Sequence, residues 1–337
     1  MKYDVITFGS ATRDVFLKGD GFKEVTEKKF FSGRGICLSL GSKIPIKEIN
    51  FDSGGGGINA AFTFKNQGLK VAFCGMVGDD FAGQDLTKEL RRKRISTDFL
   101  FIDKSHHTNY SIIILAGDER TILAYRGASE YLDRKRVPLK KLASKWFYIA
   151  PLSGKALQLC EFLLKLAKKN RISVALNPSK EQLSLPKEKL KRMLSLTDVV
   201  FLNQEEASLA TKLPHNKEEQ IFRTLDKWVR GIVVMTKGPF GVVVSDGNYL
   251  YSAGIFKTKV VDRTGSGDAF GSGFIMGLIK ATGNQQPVTS KAIEYAMQFG
   301  SANATSGLKK LGAKNGLLVR GEDIFKFGKL KISKRKL

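Results

Sequence analysis

A glycine-rich turn late in the chain carries the residues with the clearest capacity for chemistry. Residues 260–274 read Val-Val-Asp-Arg-Thr-Gly-Ser-Gly-Asp-Ala-Phe-Gly-Ser-Gly-Phe. This pattern predicts an apolar strand ending at Val261, a turn, and a helix of small and apolar residues beginning near Asp268. Gly265 and Gly267 let backbone N–H groups converge at the start of that helix, where the positive end of the helix dipole favours a phosphoryl group. Asp268 adds a carboxylate beside that anion.

A purely structural role is the alternative for Asp268, because Asp after Gly is a common helix N-cap. A cap alone requires neither two glycines nor the polar residues Asp262 and Thr264 in the approach to the helix. The residues therefore favour phosphate chemistry over capping.

A second string, Asp-Ser-Gly-Gly-Gly-Gly-Ile-Asn, places Gly55, Gly56 and Gly57 just before Asn59. Read loosely it fits a dinucleotide fingerprint, but the strand expected at residues 71–74 ends without the acid that would bind a ribose. Nicotinamide binding is therefore disfavoured. The glycines indicate instead a backbone that approaches a polar ligand closely, with the Asn59 amide as a hydrogen-bonding group.

Several motifs that would indicate other chemistry are missing from the sequence. It has no Gly-x-x-x-x-Gly-Lys-Ser/Thr phosphate loop, no Gly-x-Ser-x-Gly elbow and no His-Glu-x-x-His helix. Cys37, Cys74 and Cys160 are too widely spaced for a zinc site, and we expect reduced thiols in a cytoplasmic protein. No run of about 18 apolar residues is present, so no membrane-spanning helix is expected.

The charge balance is strongly basic, with 56 Lys and Arg against 32 Asp and Glu and a net charge of +24. Such a balance is found in proteins that bind nucleic acids or anionic substrates. Here the basic residues are spread along the chain and are not interleaved with aromatic residues. We therefore expect a solvated basic surface and no nucleic-acid partner.

The elements that would position these residues alternate in the second half of the chain. Apolar strands are predicted at residues 146–150, 173–176, 198–202 and 232–236, separated by segments of helical periodicity. Continuous apolar strands between amphipathic helices indicate a parallel sheet covered on both faces.

The first half of the chain differs from the second. Alternating or β-branched segments at residues 44–51, 108–115 and 121–125 predict a small sheet that projects from the main domain. A side sheet built from two separate insertions has the geometry of a lid.

In order, spacing and local context, the chain resembles the ribokinase-like (PfkB-type) carbohydrate kinases over essentially its whole length. The Asp-x-Thr-Gly-x-Gly-Asp-x-Phe string at residues 262–270 is that family's most specific signature, and the glycine-rich Asn loop is a second landmark. Residues 203–206 match the family's Asn-x-x-Glu, and residues 236–241 match its Thr-x-Gly-x-x-Gly nucleotide loop.

The resemblance implies an α/β fold, with a doubly wound, mainly parallel sheet flanked by helices and a small β-sheet lid. It assigns residues 1–11, 52–104 and 127–330 to the kinase domain. Residues 12–51 and 105–126 would form the lid, and residues 331–337 a basic C-terminal tail.

The resemblance also implies an ATP-dependent kinase with an alcohol group as the acceptor. Asp268 would be the base that takes the proton of the acceptor hydroxyl, and Gly265, Ser266 and Gly267 would form the anion hole. Phosphoryl transfer needs mainly orientation and charge stabilisation, so a carboxylate is a sufficient base.

On the nucleotide side, Asn203 and Glu206 would organise Mg²⁺ and its waters beside the ATP phosphates, because hard cations prefer oxygen ligands. Thr236, Gly238 and Gly241 would line the nucleotide. Without the resemblance, Asn203 and Glu206 would be interpreted only as the end of a strand and the start of a helix.

The acceptor pocket that the resemblance implies takes residues from the loop after the first strand, the glycine-rich loop and the end of a lid strand. They are Asp14, Gly55, Gly56, Gly57, Asn59 and Arg126. Arg126 would suit a sugar acid or sugar phosphate, although a plain surface arginine is the alternative. Gly56 stands where ribokinases proper often have Lys, so ribose is not assumed.

Some members of the family bind a monovalent cation such as K⁺ beside the anion hole, and Asp262 and Thr264 match part of that site. A sugar is the expected partner, and exposed lid edges suggest a homodimer. The alternatives are a nucleoside kinase on the same scaffold and a non-catalytic basic relative that associates with nucleic acid.

Overall fold

The computed structural model describes residues 2–27, 30, 33–116, 119–283 and 288–337. In chain order its strands are β1 (Tyr3–Phe8), β2 (Thr12–Lys18), β3 (Lys23–Thr26), β4 (Arg34–Cys37), β5 (Glu48–Gly54), β6 (Val71–Gly78), β7 (Ser96–Asp103), β8 (Asn109–Ala116), β9 (Glu119–Tyr125), β10 (Ser144–Ile149), β11 (Ser173–Leu176), β12 (Val199–Asn203), β13 (Ile232–Thr236), β14 (Val242–Ser245), β15 (Tyr249–Ala253) and β16 (Ile332–Lys336). The α-helices are α1 (Gly56–Asn66), α2 (Phe81–Arg92), α3 (Ala156–Asn170), α4 (Lys180–Leu183), α5 (Lys187–Leu194), α6 (Gln204–Thr211), α7 (Glu218–Leu225), α8 (Ser266–Thr282) and α9 (Ser290–Gly307).

The main sheet has ten strands in the order β16-β15-β14-β13-β12-β11-β10-β1-β6-β7. The seven strands from β13 to β7 in this order are parallel, and β14, β15 and β16 add an antiparallel edge. The chain winds outward from β1 in one direction through β6 and β7 and in the other through β10 to β13. The switch point therefore lies between β1 and β10, where ligands bind in open α/β sheets.

Successive residues of the central strands pack on opposite faces of the sheet. In β10, Trp146 and Tyr148 belong to the core shared with α1, α8 and α9, whereas Phe147 and Ile149 belong to the core shared with α3, α5 and α7. Two covered faces explain the continuous apolar runs from which the parallel sheet was predicted. The predicted fold class, a mainly parallel sheet flanked by helices with a small second sheet, is confirmed.

A four-stranded sheet in the order β5-β2-β8-β9 stands beside the main sheet. Both ranges from which the sequence predicts a lid contribute strands to it. Strands β3 and β4 pair antiparallel and form a separate two-stranded sheet. Strand β5 leads directly into α1, so the small sheet is joined to the glycine-rich loop.

Three expectations differ from the structure. The segment before the late turn is not a strand: Val260 and Val261 are exposed, and the backbone there is bonded through Val261 N and Asp262 N, which both donate to Leu308 O. The C-terminal residues pair as β16 with β15 and extend the main sheet, instead of forming a separate tail. Asp14 lies within β2 and not in a loop.

Among the described residues, no helix combines the length and apolar character needed to cross a membrane.

Candidate active site

The site lies at the carboxyl edge of the parallel strands. Because β12 and β13 are parallel and pair in register, Asn203 and Thr236 stand side by side where the two strands end. Strands β1 and β10 end at the same edge and are followed by Gly9 and Ala150. The two predicted nucleotide motifs and the glycine-rich loop therefore meet along one edge.

Helix α8 begins in the late glycine-rich turn. Gly265 is its N-cap with φ of 70°, and a Cβ there would lie 2.4 Å from the Ala313 Cβ, so the position requires glycine. Gly267 faces open space. Together with Ser266 it belongs to the first helical turn, where N–H groups can bind an anion, although Ser266 N also donates to Arg263 O at 3.3 Å.

Asp268 is the third residue of α8 and does not cap the helix. Its Oδ2 accepts a hydrogen bond of 2.8 Å from Nδ2 of Asn59 in α1. Burial raises the pKa of Asp268, and the hydrogen bond from Asn59 opposes that rise. Because Gly265 is the N-cap of α8, the alternative in which Asp268 caps the helix is wrong.

Asn59 is 5% exposed, and no described residue donates a hydrogen bond to its Oδ1. A buried amide oxygen without a donor is costly unless a ligand or water supplies one. The amide thus holds Asp268 through its nitrogen and leaves its oxygen for a donor such as a hydroxyl group.

The glycine-rich loop is packed too tightly for side chains. A Cβ at Gly56 would lie 2.9 Å from the Ala150 Cβ and 3.3 Å from Asp268 Oδ1. A Cβ at Gly57 would lie 2.9 Å from Gly9 N, and Gly55 has φ of 95°. The loop therefore brings its backbone close to Asp268.

Asp14 faces the same region from the small sheet, where it pairs with Asp52 of β5 and with Ser111 of β8. The side chain is buried, and loss of hydration raises its pKa to about 6. Hydrogen bonding to Ser111 and the charge of Lys314 act in the opposite direction, whereas Asp52 adds to the rise. A buried carboxylate can accept bonds from ligand hydroxyls.

Asn203 and Glu206 form a capping box at the start of α6. Asn203 Oδ1 accepts from Glu206 N and Glu206 Oε2 accepts from Asn203 N, both at 2.8 Å. The structural alternative, in which Asn203 and Glu206 mark the end of a strand and the start of a helix, therefore describes a role that the pair has. Burial raises the pKa of Glu206. The oxygen atoms of the two side chains are ligands of the kind that Mg²⁺ prefers.

The loop after β13 is built on two glycines with positive φ, Gly238 at 55° and Gly241 at 93°. A Cβ at Gly241 would lie 2.0 Å from Ala253 O, and Lys237 N donates to Gly241 O at 2.8 Å. The loop is thus a fixed turn directly after Thr236 at the edge of the site.

Asp262 and Thr264, predicted to contact a monovalent cation, join two loops. Asp262 Oδ1 accepts from the backbone N and Oγ1 of Thr264 at 2.9 and 2.7 Å, and its Oδ2 accepts from Gly312 N at 2.9 Å. These three bonds use most of the carboxylate, so any cation here would depend largely on other oxygen atoms.

Arg126 follows β9 directly and is largely exposed. Its Nη1 lies 3.6 Å from carboxylate oxygens of Glu130 and Glu181. Neither glutamate is among the predicted acceptor residues. The structure brings Gly56, Asn59 and Asp268 into contact and does not bring Arg126 into that group.

Two residues at or near the site were missed by sequence reasoning. Asn177 follows β11 at the same edge, and its Nδ2 donates to Phe201 O at 3.0 Å; a polar residue directly after an apolar strand was the available signal. Lys314 is buried beside Asp52 with a separation of 2.7 Å, and its position in a polar loop gave no signal of burial.

The comparisons with known proteins agree with this geometry. Residues 32–319 match the model of the pfkB family of carbohydrate kinases. The ribokinase of Haemophilus influenzae is 28% identical over 282 residues, which cover 80% of this chain and 86% of that protein. The ATP-dependent 6-phosphofructokinase of Thermoanaerobacterium thermosaccharolyticum is 25% identical over 325 residues, or 93% and 90% of the two chains. The structure of Arabidopsis thaliana ribokinase complexed with ribose and ATP superposes with a TM-score of 0.77 at 20% identity, covering 97% of this chain and 99% of that one.

The fold and the site thus define a sugar-kinase-like α/β protein with a small second sheet. The chain belongs to the pfkB family of carbohydrate kinases. It is accordingly an ATP-dependent kinase that phosphorylates a hydroxyl group, and the predicted family and activity are confirmed.

Proposed function

We propose that the chain transfers the γ-phosphoryl group of ATP to a hydroxyl of a small sugar or sugar derivative held between Asp14 and the loop of Gly55, Gly56 and Gly57. The hydrogen bond from Asn59 to Asp268 carries the proposal. It joins the acceptor loop to a carboxylate in the first turn of α8, where an anion is also favoured.

In the proposed step the acceptor hydroxyl gives its proton to Asp268 while its oxygen forms a bond to the γ-phosphorus. The bond from that phosphorus to the bridging oxygen of ADP breaks, and ADP leaves with those electrons. The N–H groups of Gly265, Ser266 and Gly267 stabilise the charge on the migrating group. Asn59 holds the carboxylate towards the hydroxyl.

On the nucleotide side, Asn203, Glu206, Thr236, Gly238 and Gly241 would line the ATP phosphates and the adjoining part of the nucleotide. The oxygen atoms of Asn203 and Glu206 would hold Mg²⁺ through water, and bound Mg²⁺ neutralises phosphate charge. Among the described residues no cluster of three or more His, Cys, Asp and Glu side chains could hold a metal ion.

We further propose that K⁺ binding at Asp262 and Thr264 supports the anion hole through the loop that these residues fix. The contact of Asp262 with Gly312 supports the proposal, because it links this segment to the neighbouring loop. Activity measured with K⁺ and with a tetraalkylammonium salt at equal ionic strength tests it. Equal rates in the two salts would refute it.

A nucleoside is the second candidate acceptor. A cleft of about 640 Å³ lies between the small sheet and residues 260–263 and is lined in part by Phe16, Phe22, Leu115 and Val260. The apolar and aromatic part of this lining, which also includes charged residues, could take a nucleobase. The cleft extends from the face of β2 that carries Asp14, so it adjoins the proposed acceptor pocket.

ATP consumption measured across pentoses, hexoses, sugar acids, sugar phosphates and nucleosides tests the function. Turnover with one of the sugar classes supports the proposal, and turnover with nucleosides alone selects the second candidate. No turnover with any acceptor, together with salt-dependent DNA or RNA binding, would overturn both and favour the non-catalytic basic relative.

We also propose that the small sheet acts as a lid and pairs with a second copy of the chain. Its face opposite Asp14 is apolar and exposed, with Phe51, Ile112 and Leu123 aligned across neighbouring strands. An exposed apolar face of this kind marks an interaction surface. Light scattering should show a dimer that Leu123→Glu converts to a monomer, and a monomeric wild-type chain would refute the pairing.

The proposed location is the cytoplasm. The free thiols of Cys37, Cys74 and Cys160 support a reducing compartment, since Cys74 and Cys160 are buried and unpaired with each other.

A further inference from the structure

A buried lysine beside the proposed site connects three segments of the fold. Lys314 lies in the loop after α9, and its side chain is 2% exposed. Its Nζ donates to Asp52 Oδ1 at 2.7 Å and also to the backbone oxygen of Ser53, both in β5. The same Nζ lies 3.6 Å from Glu89 Oε1 in α2.

The partners of Lys314 are themselves joined. Ser53 Oγ donates to Glu89 Oε2, and Asn315 Nδ2 donates to Asp52 Oδ2 at 2.9 Å. The ammonium group also lies 5.1 Å from the centre of the Phe62 ring. A buried charge needs such compensation, and removing one member leaves the others uncompensated.

The loop that carries Lys314 also contacts the turn that starts α8. Gly312 N donates to Asp262 Oδ2, and Ala313 leaves no room for a Cβ at Gly265. On its other side the loop is fastened to β5, which runs into the glycine-rich loop two residues after Asp52. Residues 312–314 therefore contact both the strand that leads into the glycine-rich loop and the turn that forms the proposed anion hole.

We propose that Lys314 is a positioning residue. It fastens β5 to the loop behind Gly265, so that the acceptor loop and the anion hole keep a fixed separation. The kinetic consequences of this inference rest on the proposed function. The contact of Lys314 with β5 does not depend on any acceptor. A displacement of about 1 Å at a reacting centre lowers the rate about 10²-fold, so the consequence is measurable.

The test is Lys314→Met, with Lys88→Met as the matched control. Lys88 is an exposed lysine next to Glu89 on α2, so the control removes the same charge nearby without opening the buried cluster. We expect Lys314→Met to lower kcat by up to about 10²-fold and to raise the acceptor KM about tenfold or more, while the ATP KM changes less than about twofold. Lys88→Met should change neither.

Hydrogen exchange provides a readout that needs no acceptor. We expect amides of β2 and β5 to exchange about tenfold faster in Lys314→Met, with amides of β12 and β13 unchanged. If the wild-type protein phosphorylates no acceptor, the proposed function is wrong. The exchange rates of the β2 and β5 amides still test whether Lys314 holds β5 in place.

Asp52→Asn covers the case in which Lys314→Met does not fold. The amide keeps an oxygen acceptor for Lys314 but loses the negative charge and the oxygen that accepts from Asn315 Nδ2, and we expect the same separation of the two KM values with a smaller rise. Folded variants with unchanged acceptor KM and unchanged exchange, or with both KM values raised equally, would overturn the proposal.

Discussion

Asn59 donates a hydrogen bond of 2.8 Å to Asp268 although 209 positions separate the two residues in the chain. The bond connects the first turn of α1 with the first turn of α8 and so joins the glycine-rich loop to the proposed base. The oxygen of the same amide has no donor among the described residues. An acceptor hydroxyl placed there would lie next to the carboxylate that receives its proton.

Asn59→Ala tests this relationship through pH. Burial raises the pKa of Asp268 and the Asn59 hydrogen bond lowers it, so the variant's pKa should be higher still. Because the carboxylate must be ionised to accept a proton, activity falls as pH drops through that pKa, and the fall should begin at a higher pH in the variant.

We expect kcat/KM near neutral pH to fall about 10- to 100-fold, the usual effect of losing a hydrogen bond to a charged group. Profiles of kcat/KM between about pH 5 and about pH 9 provide the measurement. Asn66→Ala, at the other end of α1, should keep the wild-type midpoint. An unmoved acid limb in Asn59→Ala would show that the amide does not tune the base.

Gly56→Ala should weaken binding of the acceptor without lowering the stability of the fold. The added methyl group would lie 2.9 Å from the Ala150 Cβ and 3.3 Å from Asp268 Oδ1, in the space proposed for the acceptor. Alanine in a first helical turn favours the helix by up to about 1 kcal/mol, which offsets part of the crowding. We expect the acceptor KM to rise about tenfold or more with little change in Tm.

Gly254→Ala is the control for this substitution, because Gly254 is exposed and faces open space. Thermal unfolding and initial rates on both variants give the comparison. An unchanged acceptor KM in Gly56→Ala would place the acceptor elsewhere.

Gly265→Ala and Gly267→Ala should differ in stability. At Gly265 the φ of 70° costs a residue with a Cβ about 1–2 kcal/mol, and contact with Ala313 adds to that cost. At Gly267 a methyl group meets open space, so unfolding should be little changed. We nevertheless expect kcat to fall for Gly267→Ala, because the methyl group enters the space proposed for the phosphoryl group. Wild-type kcat in Gly267→Ala would argue against an anion hole there.

Asp14→Asn should stabilise the protein at alkaline pH. Burial raises the Asp14 pKa from 3.8 to about 6, so the folded state binds the proton more tightly than the unfolded chain. Stability is therefore lost as pH rises from about 4 to above about 6, by about 3 kcal/mol in total. The neutral amide avoids this loss, so the gain should appear near pH 8 and vanish below about pH 4.

Urea unfolding at the two pH values measures the effect, and the acceptor KM should rise in the same variant. Asp20→Asn, an exposed carboxylate of the small sheet's turn, should change neither quantity. Lower stability of Asp14→Asn near pH 8 would contradict the account of a buried charge.

The elements that sequence predicts best are the buried strands. The predicted strands at residues 173–176 and 232–236 coincide with β11 and β13, because strands covered on both faces are unbroken apolar runs. Val260 and Val261 show the limit of this rule. They are apolar and β-branched but exposed, and a strand also needs a neighbour whose presence no local pattern reveals.

The parts of the site that depend on short motifs were also predictable, since Gly265 and Gly57 are required by local backbone geometry and close approach. Contacts between distant segments were not. Lys314 lies in a polar sequence, and its burial follows from partners more than 200 positions earlier in the chain. The same holds for the pairing of Asn59 with Asp268.

The most direct test of the central claim is the rate of ADP formation by Asp268→Asn with an accepted sugar. The amide keeps the shape of the side chain and an oxygen that Asn59 can bind, so the fold and the ATP KM should be retained. Loss of the proton acceptor should lower kcat by about 10²- to 10⁴-fold. A kcat within about tenfold of wild type would contradict the claim that phosphoryl transfer depends on this carboxylate.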